Sequence, residues 1–167
     1  LIFNKKFLIL NNHKLNLNQF PENYHLIAIH SDLDEFRLAF FLNKKLNICL
    51  KRKNNDIYFS DQDANYSTYE FLDDTKYLRW IFFSNKSLVP EKISDENLSL
   101  FGEGNAALNE VNLLSQQNSV DYFIIIENIA NTSYVDKVLK KISEISGVIT
   151  SFLSENKLEN KENLIFA

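Results

Sequence analysis

The chain has 167 residues, of which 45% are apolar and 24% charged, the size and balance of one globular domain rather than a disordered segment. Its net charge of −4 argues against a general nucleic-acid binder, which needs a basic face to neutralise phosphates. The one cysteine, Cys49, excludes an internal disulfide and a cysteine-built zinc cluster.

Near the start, Lys5-Lys6 precede four apolar residues, 7–10, and the run stops at Asn11-Asn12-His13. A secretory core needs about 7–15 apolar residues, and a membrane span needs about 20. We therefore expect a cytoplasmic protein with no membrane partner. Residues 7–10 and 14–17 are predicted as a short hairpin or edge strand, and 20–23 as a turn around Pro21.

Residues 24–31 are a predicted strand. The run Leu26-Ile27-Ala28-Ile29 suits a strand covered on both faces. A helix follows, with Asp32 as the expected cap and Glu35 completing a capping box. Leu38, Phe41, Leu42 and Leu46 give it an apolar stripe, which Phe36 and Phe40 widen. Lys44 and Lys45 fall in its last turn, where cations suit the helix dipole. Residues 47–53 read as a strand with Cys49 buried, Asn54-Asn55 as a turn, 57–60 as the return strand and 61–65 as a polar loop. Residues 66–72 and 77–84 flank Asp73-Asp74-Thr75-Lys76 as an aromatic-rich hairpin.

From 85 to 113 the pattern weakens. A long loop or partner surface is expected there, with a short helix over 106–114. Gly102-Glu103-Gly104 lacks the lysine and hydroxyl residue of a phosphate loop and reads as a turn. Residues 120–127 are the clearest strand and are expected at the centre of the sheet. A second helix is predicted from Ser133, capped reciprocally by Asp136, with Val135, Val138, Leu139, Ile142 and Ile145 on one face and Gly147 as terminator. Residues 148–153 are the last strand. The domain is expected over 1–154 and a charged tail over 155–167.

Two strand-helix-strand units thus bracket a meander. The expected architecture is α+β, a single mixed or antiparallel sheet with two helices on one face. A ferredoxin-like core with an inserted hairpin is one specific version.

The stretch Leu114-Ser115-Gln116-Gln117-Asn118-Ser119-Val120-Asp121-Tyr122 resembles the signature of the IPExxxVDY family, small Bacteroidota proteins of unknown function. Val120, Asp121 and Tyr122 match; Leu114, Ser115 and Gln116 stand where that family has isoleucine, proline and glutamate. The resemblance spans roughly residues 15–153 and takes in Ile27-Ala28-Ile29-His30-Ser31, Arg37-Leu38, Leu42-Asn43-Lys44 and Ser84-Asn85-Lys86-Ser87. It implies a small cytoplasmic bacterial domain and assigns no activity.

Several groups are weighed for chemistry. His30, Ser31 and Asp34 gather at a strand end, a favoured place for active sites. Adjacent strand residues face opposite ways, however, so capping by Ser31 or Asp32 is preferred. His13, His25 and His30 lack metal-ligand spacing. Asp121 and Glu127 lie about 20 Å apart along an unbroken strand, too far to share a reaction centre. Asp121 is expected to anchor a turn or pair with a basic residue, and in one version to hold amides of the loop before it. Tyr69, Trp80 and Phe82 could offer an aromatic binding face, but cross-strand packing is the preferred reading. No cofactor is implied. The leading expectation is a non-enzymatic interaction or regulatory module, with a protein partner or self-association. The alternatives are a small-ligand, amino-acid-like sensor and an enzyme with a dispersed site near His30, Ser31 and Asp34.

Overall fold

The computed structural model describes residues 24–59, 62–90, 108–129 and 131–154. The expected elements at 7–10, 14–17 and 20–23, the turn at 102–104, His13 and the tail 155–167 lie outside these residues.

The chain folds as an α+β structure with one main sheet. Its strands are β1 (Tyr24–Ser31), β2 (Lys51–Arg52), β5 (Thr68–Asp73), β6 (Leu78–Ser84), β9 (Tyr122–Glu127) and β10 (Val148–Ser154). They lie in the order β10-β1-β9-β6-β5-β2, and every neighbouring pair is antiparallel. Helices α1 (Glu35–Leu46) and α2 (Thr132–Ser143) follow β1 and β9. Taken in chain order, β1-α1-β6-β9-α2-β10 places its four strands 4-1-3-2, the split β-α-β pattern of a ferredoxin-like core. The inserted pieces are β2 to β5 before β6, and a hairpin of β7 (Lys86–Pro90) and β8 (Leu108–Asn112) before β9.

The sheet is covered on both faces. On one side Ile27, Ile29, Tyr69, Trp80, Phe82, Ile124 and Ile126 pack against Leu38, Ala39 and Leu42 of α1 and Val135, Val138 and Ile142 of α2. On the other side Leu26, Ala28, Ile81, Phe83, Phe123 and Ile125 meet Ile57, Ala64, Tyr66, Leu113, Leu114 and Val120. That second cover comes partly from a hairpin of β3 (Ile57–Phe59) and β4 (Ala64–Tyr66).

Several expectations need correction. Asp34, not Asp32, caps α1: its carboxylate accepts from the Arg37 amide at 2.8 Å. Phe36 and Phe40 do not join the buried stripe but stand 62% and 61% exposed. The segment 47–53 is extended only at Lys51–Arg52, because Asn47 closes α1 in the left-handed conformation (φ 56°) and the Asn43 side chain holds both the amide and the carbonyl of Leu50. That clamp turns Leu50 inward and leaves Cys49 exposed rather than buried. The strand β3 returns on β4, inside the expected loop 61–65, with Asp63 (φ 53°) in the turn. The expected helix at 106–114 is instead strand β8, paired with β7, and no helix occupies 108–112. Asn131 rather than Asp136 caps α2. Helix α2 ends at Ser143, so Gly147 serves the turn into β10: at φ +95° its carbonyl accepts from Asp32, and an added Cβ would lie 2.7 Å from the Leu33 side chain.

The hairpin around 73–76 forms as expected. The Asp73 carboxylate accepts from the Thr75 amide and hydroxyl and from the Lys76 amide.

Burial shifts three of the phenols in these cores. Burial pushes Tyr66 up to about 12; burial likewise pushes Tyr69 up to about 12, against the pull of nearby Arg52. Burial, aided by nearby carboxylates, also pushes Tyr122 up. In the unfolded chain phenols lose their protons near pH 10. Above that pH the unfolded state binds fewer protons than the folded one, so stability falls as pH rises from about 10 towards 12. In an alkaline titration, the phenolate absorbance of these three residues is expected to appear together with loss of near-UV circular dichroism. Their ionisation near pH 10 in a still-folded protein would contradict this burial.

Candidate functional site

Of the residues singled out for chemistry, His30, Ser31 and Asp121 meet at one end of the sheet, where β1 finishes and β9 begins. Val120 and Asp121 precede β9 and stand outside its alternation. Val120 faces the hairpin-side core, while Tyr122 faces the helix side and packs on Phe82 with ring centroids 5.5 Å apart. The Tyr122 hydroxyl donates to the Leu33 carbonyl at 2.8 Å, tying the strand to the approach of α1.

Asp121, between them, collects charge and an amide. Its Oδ2 accepts from the Ser31 amide at 3.0 Å and lies 3.8 Å from His30 Nδ1; its Oδ1 lies 2.9 Å from Lys86 Nζ. Lys86 also reaches Glu110 on β8 at 3.5 Å. Asp121 and Glu110 together hold the Lys86 ammonium above its ordinary range, with the Asp121 hydrogen bond the larger cause. Asp121 thus pairs with a basic residue, as one expectation had it, and binds across to β1 and β7 rather than to amides of the loop before it.

That loop is fixed by Asn85, which sequence reasoning missed. Asn85 is fully buried, and its side chain donates to the carbonyls of Gln117 and Val120 at 2.9 Å each and accepts from the Leu114 amide at 2.9 Å. Its backbone bonds Asp121 and Leu113. The one available signal was an asparagine at the end of an aromatic strand, where nothing local names its partners.

His30, Ser31 and Asp34 are each committed elsewhere. The Ser31 hydroxyl donates to the Gly147 carbonyl at 2.8 Å and accepts from the Leu33 amide at 3.1 Å. His30 stacks on Phe152, centroids 6.1 Å apart. Asp34 caps α1 and pairs with Arg37 at 3.4 Å. His25 points to the opposite face and bonds the Ile129 carbonyl at 3.0 Å. Glu127 pairs with Arg79 at 3.6 Å, and burial raises its carboxyl despite that cation. Among the described residues, no group of three or more His, Cys, Asp or Glu could hold a metal ion, and no helix is long and apolar enough to cross a membrane.

Tyr69, Trp80 and Phe82 lie buried between sheet and helices, packed as cross-strand neighbours, so they present no aromatic face. Arg52 sits over the Tyr69 ring, 5.3 Å from its centroid.

Two open clefts flank the body. One of about 360 Å³ is lined by Cys49, Lys51, Arg52, Lys53 and Glu70. Three of its charges are met within the chain: Arg52 chelates Asp56, and Glu70 faces Arg79 and Lys53. The other, about 330 Å³, lies beside the Lys45–Glu144 ion pair.

The exposed chemistry is apolar. On α1, Phe36 and Phe40 are one helical turn apart and outside the buried stripe, and Phe41 adjoins Phe40 edge-on at 5.4 Å.

The two polar anchors are expected to differ in cost. Asn85→Ala removes three hydrogen bonds and strands two buried backbone groups, the Val120 carbonyl and the Leu114 amide, and should lose about 3 kcal/mol. Asp121→Ala, where water can reach the groups it leaves, should lose about 1 kcal/mol. Urea denaturation of both variants checks the order, and equal losses would contradict it. Comparisons with protein-family models, with curated proteins and with solved structures match nothing.

Proposed function

We propose that this protein is a non-enzymatic interaction or regulatory module of the bacterial cytoplasm that engages a protein partner through the outer face of α1. One observation carries the reading: Phe36 and Phe40, over 60% exposed, with Phe41 beside them, on a helix whose core side is already satisfied by Leu38, Ala39 and Leu42. Large side chains clustered in water favour burial against another surface. Aromatic anchors dominate the energy of protein interfaces. A helix that presents residues one turn apart suits a grooved partner.

The same proposal takes the chain as kin to the IPExxxVDY proteins. The three matching residues support a structural reading of that signature, since Val120 packs, Asp121 binds charge and Tyr122 anchors α1.

The double substitution Phe36→Ser/Phe40→Ser tests the reading by affinity capture. Each phenylalanine offers about 1.5–3 kcal/mol on burial, so the variant is expected to bind a reproducibly captured partner at least tenfold more weakly. Its melting temperature should fall only slightly, because both rings are largely exposed and the one core contact is the edge of Phe36 on Tyr69. Undiminished capture by this variant would contradict the proposal.

A further inference from the structure

The helix layer carries an excess of cations, although the chain as a whole has a net charge of −4. Helix α1 holds Arg37, Lys44 and Lys45 against one carboxylate, Glu35. Helix α2 holds Lys137, Lys140 and Lys141 against one, Asp136. Two further acids border the helices, and both are engaged. Asp34 caps α1 and pairs with Arg37 at 3.4 Å; Glu144 pairs with Lys45 at 2.8 Å. Lys45 holds the Glu144 carboxyl below its ordinary range, and Lys140 and Lys141 add to that pull. Among the described residues, no acid lies within ion-pairing distance of Lys44.

Charge and aromatic surface fall on one stripe of α1. Arg37 and Lys44 are seven residues apart, two helical turns, so they share a side of the helix about 10 Å from each other. Phe40 stands between them, three residues from one and four from the other. Phe36 and Phe41 flank it, and all five side chains are exposed. Towards α2 the stripe ends in the cleft of about 330 Å³, which Phe41 and Lys44 both line.

We infer that the protein partner of α1 is acidic: an apolar surface that takes Phe36 and Phe40, bordered by carboxylates about 10 Å apart that meet Arg37 and Lys44. This rests on the proposed function and names the chemistry of the partner. Charge decides between the occupants of such a face. A second copy centred on the stripe meets it badly. Antiparallel pairing about Phe40 and Phe41 sets Arg37 abreast of Lys44, and parallel pairing sets each cation beside its own counterpart. Outside the two helices, acids outnumber cations. An extended polyanion, whether nucleic acid or anionic bilayer, is therefore drawn to the stripe and repelled by the rest of the chain. A folded partner with a local pair of carboxylates meets the stripe alone.

Two synthetic amphipathic helical peptides test this by fluorescence anisotropy. One has leucines along one face with glutamates seven residues apart beside them; the other has lysines in place of those glutamates. Wild-type protein is expected to bind the glutamate peptide about tenfold or more tightly than the lysine peptide, with the margin shrinking in high salt. Arg37→Glu/Lys44→Glu should reverse the preference with unchanged circular dichroism. Lys51→Glu/Lys76→Glu alters the net charge equally, off the stripe, and should keep it. Equal binding of the two peptides, binding of neither, or a preference that survives the reversal on α1 would each overturn the inference. So would tighter binding to phosphatidylglycerol vesicles or poly(U) than to the glutamate peptide, or a dimer in sedimentation equilibrium that Phe36→Ser/Phe40→Ser dissolves. The double serine separates the two failures. If it abolishes peptide binding while the charge reversal changes nothing, the face stands and its acidic partner falls. If it leaves peptide binding intact, the face itself falls, and the proposed function with it.

Discussion

The structure depends on a central strand that has no wet face. All six residues of β9, Tyr122 to Glu127, are buried, and four of them in succession are Phe123, Ile124, Ile125 and Ile126. Such a strand must lie between two neighbours and under two covers. Strands β1 and β6 supply the neighbours, the two helices supply one cover, and the β3–β4 hairpin with residues 113–120 supplies much of the other. The helix cover follows from local chain order. The other cover needs segments inserted between α1 and β9, which accounts for the additions to the four-stranded core.

Covering both faces creates a polar problem at the end of β9, where the chain must leave the interior. Asn85 and Asp121 solve it in different ways. Asn85 is sealed inside and satisfies three main-chain groups of the segment leading into β9. Asp121 stays part-exposed and joins β1, β7 and β8 through Ser31, Lys86 and, by way of Lys86, Glu110. The groups that first suggest catalysis are consumed by this joinery. Ser31 spends its hydroxyl on two main-chain partners, and His30 lies against Phe152. Large apolar side chains stand exposed on α1 and β10, among other places.

Much of the core was legible in the residues. The bounds of β1, the 73–76 hairpin, the burial of β9 and the face of α2 all follow from periodicity and turn chemistry that act within a few residues. The misreadings arise where distant partners decide. Leu108 to Asn112 forms a strand because Lys86 to Pro90 pairs with it, and nothing within the segment announces that partner. Asp32 and Asp34 offer equal caps until the Gly147 carbonyl claims the Asp32 amide. Phe36 and Phe40 follow helical spacing just as Leu38 and Leu42 do, and the spacing does not say which face the sheet meets. Tyr69, Trp80 and Phe82, by contrast, pack in the core as the cross-strand reading expects. The candidate site was legible only in Val120-Asp121-Tyr122, since Lys86, Glu110 and Asn85 reach it through pairings that periodicity does not encode.

Native-state hydrogen exchange tests the central role of β9 most directly. Amides of Phe123, Ile124, Ile125 and Ile126 should be the slowest in the protein, and should exchange together with Leu26 to Ala28 and Trp80 to Phe82 only through global unfolding. The β7–β8 hairpin should exchange faster. Exchange of the β9 amides as fast as those of that hairpin, or in a step separate from β1 and β6, would contradict the account.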